Sequence, residues 1–283
     1  MIFRNMTCLS ARLSTVQARL LPHGPLDVVR QVVLFIAAYQ VYRLVRGLAD
    51  DPGSANAAFS NARELIHIEQ ALNIFVEPSL QAFASGQSWL LDGASWMYIN
   101  AQTSITLGAL TWLYLFRNPS FYFVRNMFLV AFGVALIGYT VFPTAPPRFF
   151  PEWGFFDAVS DFTGIGQDSV TINELFNPYA AVPSMHVGFA LMISLPLARL
   201  VRWRALKVFW AIYPLIVVFV IVVTANHFIA DAVLGALAVG IGAYAARLLA
   251  RARPNAWAFM PSRPPEESAP ILPLLPAEAT AAP

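Results

Sequence analysis

The stretch "VVFVIVVTANHFIADAVLGALAVGIGAYAA", residues 217–246, decides how this chain must be read. Its first seven residues carry no charge, and residues 232–246 are nearly as apolar. Between them stand Asn226, His227 and Asp231, where leucine would be the safer choice inside a membrane. A crossing helix needs about 20 apolar residues, so the pattern reads as two spans joined by a short polar turn.

Composition extends that reading to the whole chain. Of 283 residues, 58% are apolar and only 12% are charged, about half the charged share of a soluble domain. Mean hydropathy is +0.59. The length suits one integral membrane bundle better than two soluble domains. Cys8 is the single cysteine, which excludes an internal disulfide and any cysteine-based metal site. The N-terminus has no apolar core and is interrupted by Arg4, Arg12 and Arg19, so it does not read as a signal peptide.

Five segments read well as spans: Ala94–Phe116, Phe123–Phe142, Met185–Leu200, Leu206–Val223 and Phe228–Leu249. A sixth, Leu26–Leu48, is weaker because it holds Asp27, Arg30, Arg43 and Arg46; a surface-lying amphipathic helix is its rival reading. The expected architecture is all-α, a bundle of about six transmembrane helices over residues 26–250. Residues 1–25 form a cytoplasmic tail, with His23 inert. Residues 254–283 form a second tail, whose Pro- and Ala-rich composition does not support a fold.

Basic residues set the orientation. Arg117 and Arg125, then Arg199, Arg202, Arg204 and Lys207, then Arg247, Arg251 and Arg253 occupy alternate loops and belong inside. The opposite segments are acidic. Residues 144–182 hold Glu152, Asp157, Asp161, Asp168 and Glu174 against Arg148; residues 49–92 hold Asp50, Asp51, Glu64, Glu69, Glu77 and Asp92 against Arg63. Residues 144–182 thus read as an extracytoplasmic loop. Residues 49–92 read as a helical segment in the outer interface, where Leu65, Ile68, Leu72, Phe75 and Val76 share a face and Pro78 marks a break. His67 belongs to its solvated face. Trp89, Trp96, Trp112, Trp203 and Trp210 sit near span ends, as interfacial anchors do.

Three polar clusters fall at the outer ends of spans: "FPTAPPRFF" (142–150), "NPYAAVPSMHVGFA" (177–190) and "TANHFIADAV" (224–233). They bring Arg148, Ser184, His186, His227 and Asp231 to one membrane depth. Ser184 is an N-cap candidate for the span that follows it, and Asn226 for the last span. Asn177 and Tyr179 read as loop-shaping residues. His227 and Asp231, four apart, would lie on one helical face about 6 Å from each other. Two helix N-termini would then aim free N–H groups at one spot beside the Arg148 fork, which suits a phosphate. A histidine paired with a carboxylate can attack phosphorus, and a second histidine can protonate the leaving oxygen. The scheme calls for no metal and no cofactor.

These residues resemble the type 2 phosphatidic acid phosphatase superfamily, whose signatures are K-x6-R-P, P-S-G-H and S-R-x5-H-x3-D. The second appears as "PSMH" (183–186), the third as His227-x3-Asp231, and the first only as Arg148. By this resemblance His227 is the phosphorylated nucleophile, Asp231 its partner and His186 the general acid, with Arg148 and Ser184 as phosphate ligands. Val141 stands in the lysine slot, and Val220 and Ile221 in the S-R slots. That pattern, with "HIEQALNIFVEPSLQ" (67–81) and "FPTAPPR" (142–148), resembles the branch that contains the inositol phosphorylceramide synthases.

The resemblance implies a metal-independent phosphotransferase of a bacterial plasma membrane, with its site on the extracytoplasmic side. It would move a phospho-head-group, phosphoinositol among the candidates, between lipid and alcohol; the lipid substrate is a phospholipid or polyprenyl phosphate, and a polyol such as inositol is a candidate acceptor. The partners are then lipid, polyol and membrane, without nucleic acid. A lipid phosphate or polyprenyl (di)phosphate phosphatase with water as acceptor is the near alternative. A proton-coupled transporter is the distant one, disfavoured because the polar groups lie at span ends and no internal repeat is visible.

Overall fold

A computed structural model describes residues 21, 23–48, 52–165, 179–254 and 256–258. Most of both expected tails, and Asn177, lie outside the described residues. The fold is helical, and among the described residues the single β feature is a bridge between Thr144 and Ala180.

Helix α1 (Pro25–Leu48) precedes three helices of the acidic segment: α2 (Pro52–Ala71), α3 (Glu77–Ser85) and α4 (Ser88–Trp96). The backbone stays helical through a π turn at Met97–Ala101 into α5 (Gln102–Phe116). Next come α6 (Asn118–Val141), two 3₁₀ turns, and a short α7 (Ala158–Thr163). The last three helices are α8 (Met185–Leu200), α9 (Arg204–Val223) and α10 (Ile229–Ala252).

Among the described residues, three helices are long and apolar enough to cross a membrane: α6, α9 and α10. The other three expected spans differ from these in length, continuity or charge. The π turn divides 94–116, leaving α5 only 15 residues. Helix α8, also apolar, has 16 residues. Helix α1 carries the charges already noted.

The bundle is built around α8, which packs on α9, α10, α5 and α6; α6 also packs along α10, and α1 lies against α6. The main core includes Leu113, Tyr122, Phe128, Met192, Ile193 and Ile221. Many large apolar side chains point outward, among them Val141, Leu215, Val233 and Leu237, as a lipid-facing surface requires. Trp89, Trp96 and Trp203 are exposed too.

The interfacial segment does more than lie flat. One face of α2, Ala58, Ala62, Leu65, Ile66 and Glu69, is buried, while Ile68 and Leu72 face outward. The buried face forms a second core with Ala145, Phe150, Phe155, Ala225 and Phe228, over the loops that end α6 and begin α10. Ala145 N–H donates to the Ala58 carbonyl at 3.1 Å, and Asn61 Nδ2 to the Pro143 carbonyl at 2.8 Å. The expected break at Pro78 is real: the chain turns at Asn73, in the left-handed region at φ 56°, and α3 begins at Glu77.

Candidate active site

The three polar clusters are knitted together by backbone hydrogen bonds. Thr144 N–H donates to the Tyr179 carbonyl at 2.8 Å, Arg148 N–H to the Ala225 carbonyl at 2.9 Å, and Ser184 N–H to the Asp231 carbonyl at 3.0 Å. Two glycines permit the close approach. A Cβ on Gly235 would collide with the Ser184 carbonyl, and one on Gly138 would meet the Pro183 ring.

His227 and Asp231 meet, although not as two residues of one helical face. Helix α10 begins at Ile229, with Phe228 at the N-cap, so His227 precedes the helix and Asp231 sits in its first turn. The extended Phe228 (ψ 163°) turns His227 back over that turn. His227 Nδ1 lies 3.1 Å from Asp231 Oδ2, which also accepts the Phe228 N–H at 2.9 Å. Both residues are buried. The carboxylate beside Nδ1 fixes the orientation and tautomer of the ring.

His186 lies in the first turn of α8, as expected, with its ring centroid 5.5 Å from that of His227. The His186 ring also stacks on Tyr98, at 4.3 Å and 15° between planes. Tyr98 belongs to the π turn, a feature that recurs at functional sites. Nothing in the sequence marked it, because π turns have no simple sequence signal.

Arg148 donates from Nη1 to Asn226 Oδ1 at 2.6 Å, and its Nε lies 3.6 Å from Asp157 Oδ2. The guanidinium is thus tethered to the residue before His227. Asn226 is spent on this contact and on the Thr224 carbonyl, so it is not the cap of α10. Asp157 also caps α7 through the N–H groups of Val159 and Ser160. The sequence showed it only as one acid of an acidic loop.

Ser184 occupies the N-cap position of α8 but makes no side-chain cap bond; its buried Oγ has no hydrogen-bond partner. The expectation of two open helix N-termini also needs correction. At α10 the first N–H groups are taken: Phe228 by Asp231, Ile229 by Glu77 Oε1 at 2.9 Å, and Ala230 by Glu69 Oε1 at 2.7 Å. Glu69 and Glu77 come from α2 and α3, and the sequence reading counted them merely as outer charges.

All five candidate residues therefore gather where the ends of α6, α8 and α10 meet. The described residues thus form a helical bundle with a histidine–carboxylate pair and a second histidine beside it. Residues 63–245 match the family model of the PAP2 superfamily, and the chain belongs to that superfamily. No curated protein and no solved structure matches it. The family is one of phosphatases and phosphotransferases, so the chain is an enzyme of that type acting on lipid phosphates.

Proposed function

We propose that the protein is a lipid phosphotransferase that moves a phospho-head-group from a lipid to an alcohol through a phosphohistidine at His227. The observation that carries the reading is the buried His227–Asp231 contact of 3.1 Å with the His186 ring beside it. In the first step His227 Nε2 bonds to phosphorus while the bond from phosphorus to the lipid oxygen breaks. His186 gives its proton to that oxygen. Asp231 holds the Nδ1 proton and stabilises the positive ring. In the second step an acceptor hydroxyl passes its proton to His186 as its oxygen bonds to phosphorus and the N–P bond breaks. Arg148 and Ser184 bind the phosphoryl oxygens; a buried hydroxyl with no protein partner is well suited to that task.

The missing cations at Val141 and Ile221 support transfer to an alcohol over hydrolysis, by resemblance to the synthase branch. A polyol such as inositol is the proposed acceptor of a lipid-borne phosphoryl group; phosphoinositol, where it is the group carried, passes instead to a lipid alcohol. The bundle is proposed to span six times, with the site on the extracytoplasmic side of a bacterial plasma membrane.

The test is product analysis. Purified protein is given labelled phospholipids and polyprenyl phosphates, with and without inositol, in the presence of EDTA. An inositol-dependent product and an acid-labile phosphoprotein are expected. Release of head-group to water alone would make the enzyme a phosphatase, and the absence of both turnover and phosphohistidine would end the proposal. For sidedness, Glu152→Cys in a Cys8→Ser background should react with an impermeant thiol reagent in intact cells, and Arg204→Cys should not. The reverse pattern would turn the site inward.

A further inference from the structure

The start of α10 is gripped by two glutamates that the reaction scheme does not use. Glu69 Oε1 accepts the Ala230 N–H and Glu77 Oε1 accepts the Ile229 N–H. Both side chains are almost wholly buried, at 1% and 0% exposure. The second oxygen of each is buried as well and has no hydrogen-bond partner. The two carboxylates accept from adjacent N–H groups of one turn, which sets them side by side. Two ionised carboxylates buried side by side, with no donor on their remaining oxygens, repel each other, which favours a proton on one of the pair. The charged neighbour is Asp231, whose partner is His227.

We propose that Glu69 and Glu77 are a positioning pair, holding one proton between them and fixing the first turn of α10 so that Asp231 faces His227. The inference rests on His227 and Asp231 being the nucleophile and its partner. The geometry supports the role in two ways. The three N–H groups from Phe228 to Ala230 are each held by a different carboxylate, so the turn that carries Asp231 cannot rotate without breaking two long-range bonds. A single shared proton also limits the negative charge beside a phosphate site, where two full charges would repel the substrate. In agreement, burial first and the Glu77 carboxyl second push the Glu69 carboxyl up to about 9 from an ordinary 4.5.

The sign of the pH effect follows. A folded-state carboxyl raised above its unfolded value contributes stability that is complete below about 4.5 and is lost as pH rises through about 9. The wild-type unfolding temperature in detergent should therefore fall across that window, and Glu69→Gln should flatten the fall.

A glutamine at either position can accept the backbone N–H with its oxygen and donate to the remaining carboxylate. Each of Glu69→Gln and Glu77→Gln should therefore keep most of the turnover of labelled phosphatidic acid. The double variant sets two amide NH₂ groups against each other. It should lose about 10²-fold in kcat, the usual cost of a small misplacement, with little change in KM. A third readout needs no substrate. The downfield Nδ1 proton of His227, assigned by its loss in His227→Ala, should persist in each single variant and vanish in the double one. A double variant no worse than the singles, with equal pH slopes and an intact Nδ1 signal, would overturn the pair. If the wild type turned over no lipid phosphate, the reaction scheme would fail, and the unfolding and Nδ1 measurements would still decide whether the pair exists.

Discussion

The two ends of the bundle both bury charge, and they treat it in opposite ways. At the end away from the candidate site, Asp27 accepts from Gln31 Nε2 at 2.9 Å, Tyr114 Oη at 2.9 Å and Tyr122 Oη at 2.6 Å. Arg125 donates to Gln31 Oε1 at 2.6 Å and to Asn126 Oδ1 from both Nε and Nη2. Asn126 in turn donates to the Trp257 carbonyl at 2.8 Å. The network is closed. At the other end, Ser184 Oγ, Asp231 Oδ1 and one oxygen each of Glu69 and Glu77 lack an ordinary donor or acceptor. A satisfied buried network locks helices together, whereas a partly satisfied one is costly and is kept where chemistry needs it. The first end explains how α1, with its charges, joins the bundle. The second is where function is expected.

That contrast can be broken most directly at His227. His227→Ala should abolish turnover, because no other group could form the phosphorus bond, and should leave the unfolding temperature nearly unchanged. Asp231→Asn should fold and lose about 10⁴ in rate, as when the oriented partner of a catalytic histidine is removed. Near-normal turnover of a lipid phosphate by His227→Ala would exclude the covalent route.

His186 sharpens the comparison further, since its loss should depend on the leaving group. An alkoxide needs a proton in the transition state, and general acid catalysis contributes about 10²–10⁴-fold. A nitrophenolate needs it far less. In His186→Ala the burst of phosphohistidine from nitrophenyl phosphate should fall much less than that from an alkyl phosphate. Equal losses in the two bursts would reduce His186 to a phosphate ligand or a structural residue.

Gly235→Ala tests the backbone beneath the site. The added methyl must push Ser184 away from α10 and stretch the Ser184–Asp231 contact. About 10²-fold in kcat/KM should be lost, the usual cost of a displacement near 1 Å. An unchanged rate would mean that this packing is irrelevant to catalysis.

The smallest effect on turnover is expected at the closed end. Asp27→Ala strands three buried donors, which should cost about 3 kcal/mol or more in unfolding free energy. The specific activity of the folded fraction should stay that of the wild type. A large fall in kcat with stability intact would show that the two ends are coupled.

Much of the fold could be read from the sequence because its signals are local. Apolar runs located α6, α8, α9 and α10, and the Pro78 break marked the start of α3. The spacing of His227 and Asp231 identified a pair that does meet, although the helix begins later than expected. The π turn within 94–116 escaped notice because its residues are as apolar as the helix around them.

The sequence by itself determined an apolar helical chain, the places where polar residues interrupt it, and a family spacing of catalytic residue types. Each depends on residues within a few turns of one another. Only the tertiary structure decided what those residues touch. It set Tyr98 against His186, tied Arg148 to Asn226 78 residues away, and brought Glu77 and Glu69 to N–H groups 152 and 161 residues distant. A buried carboxylate and a solvated surface one look alike in a sequence. What separates them is the desolvation imposed by helices packed on top, and that packing exists only once the chain has folded.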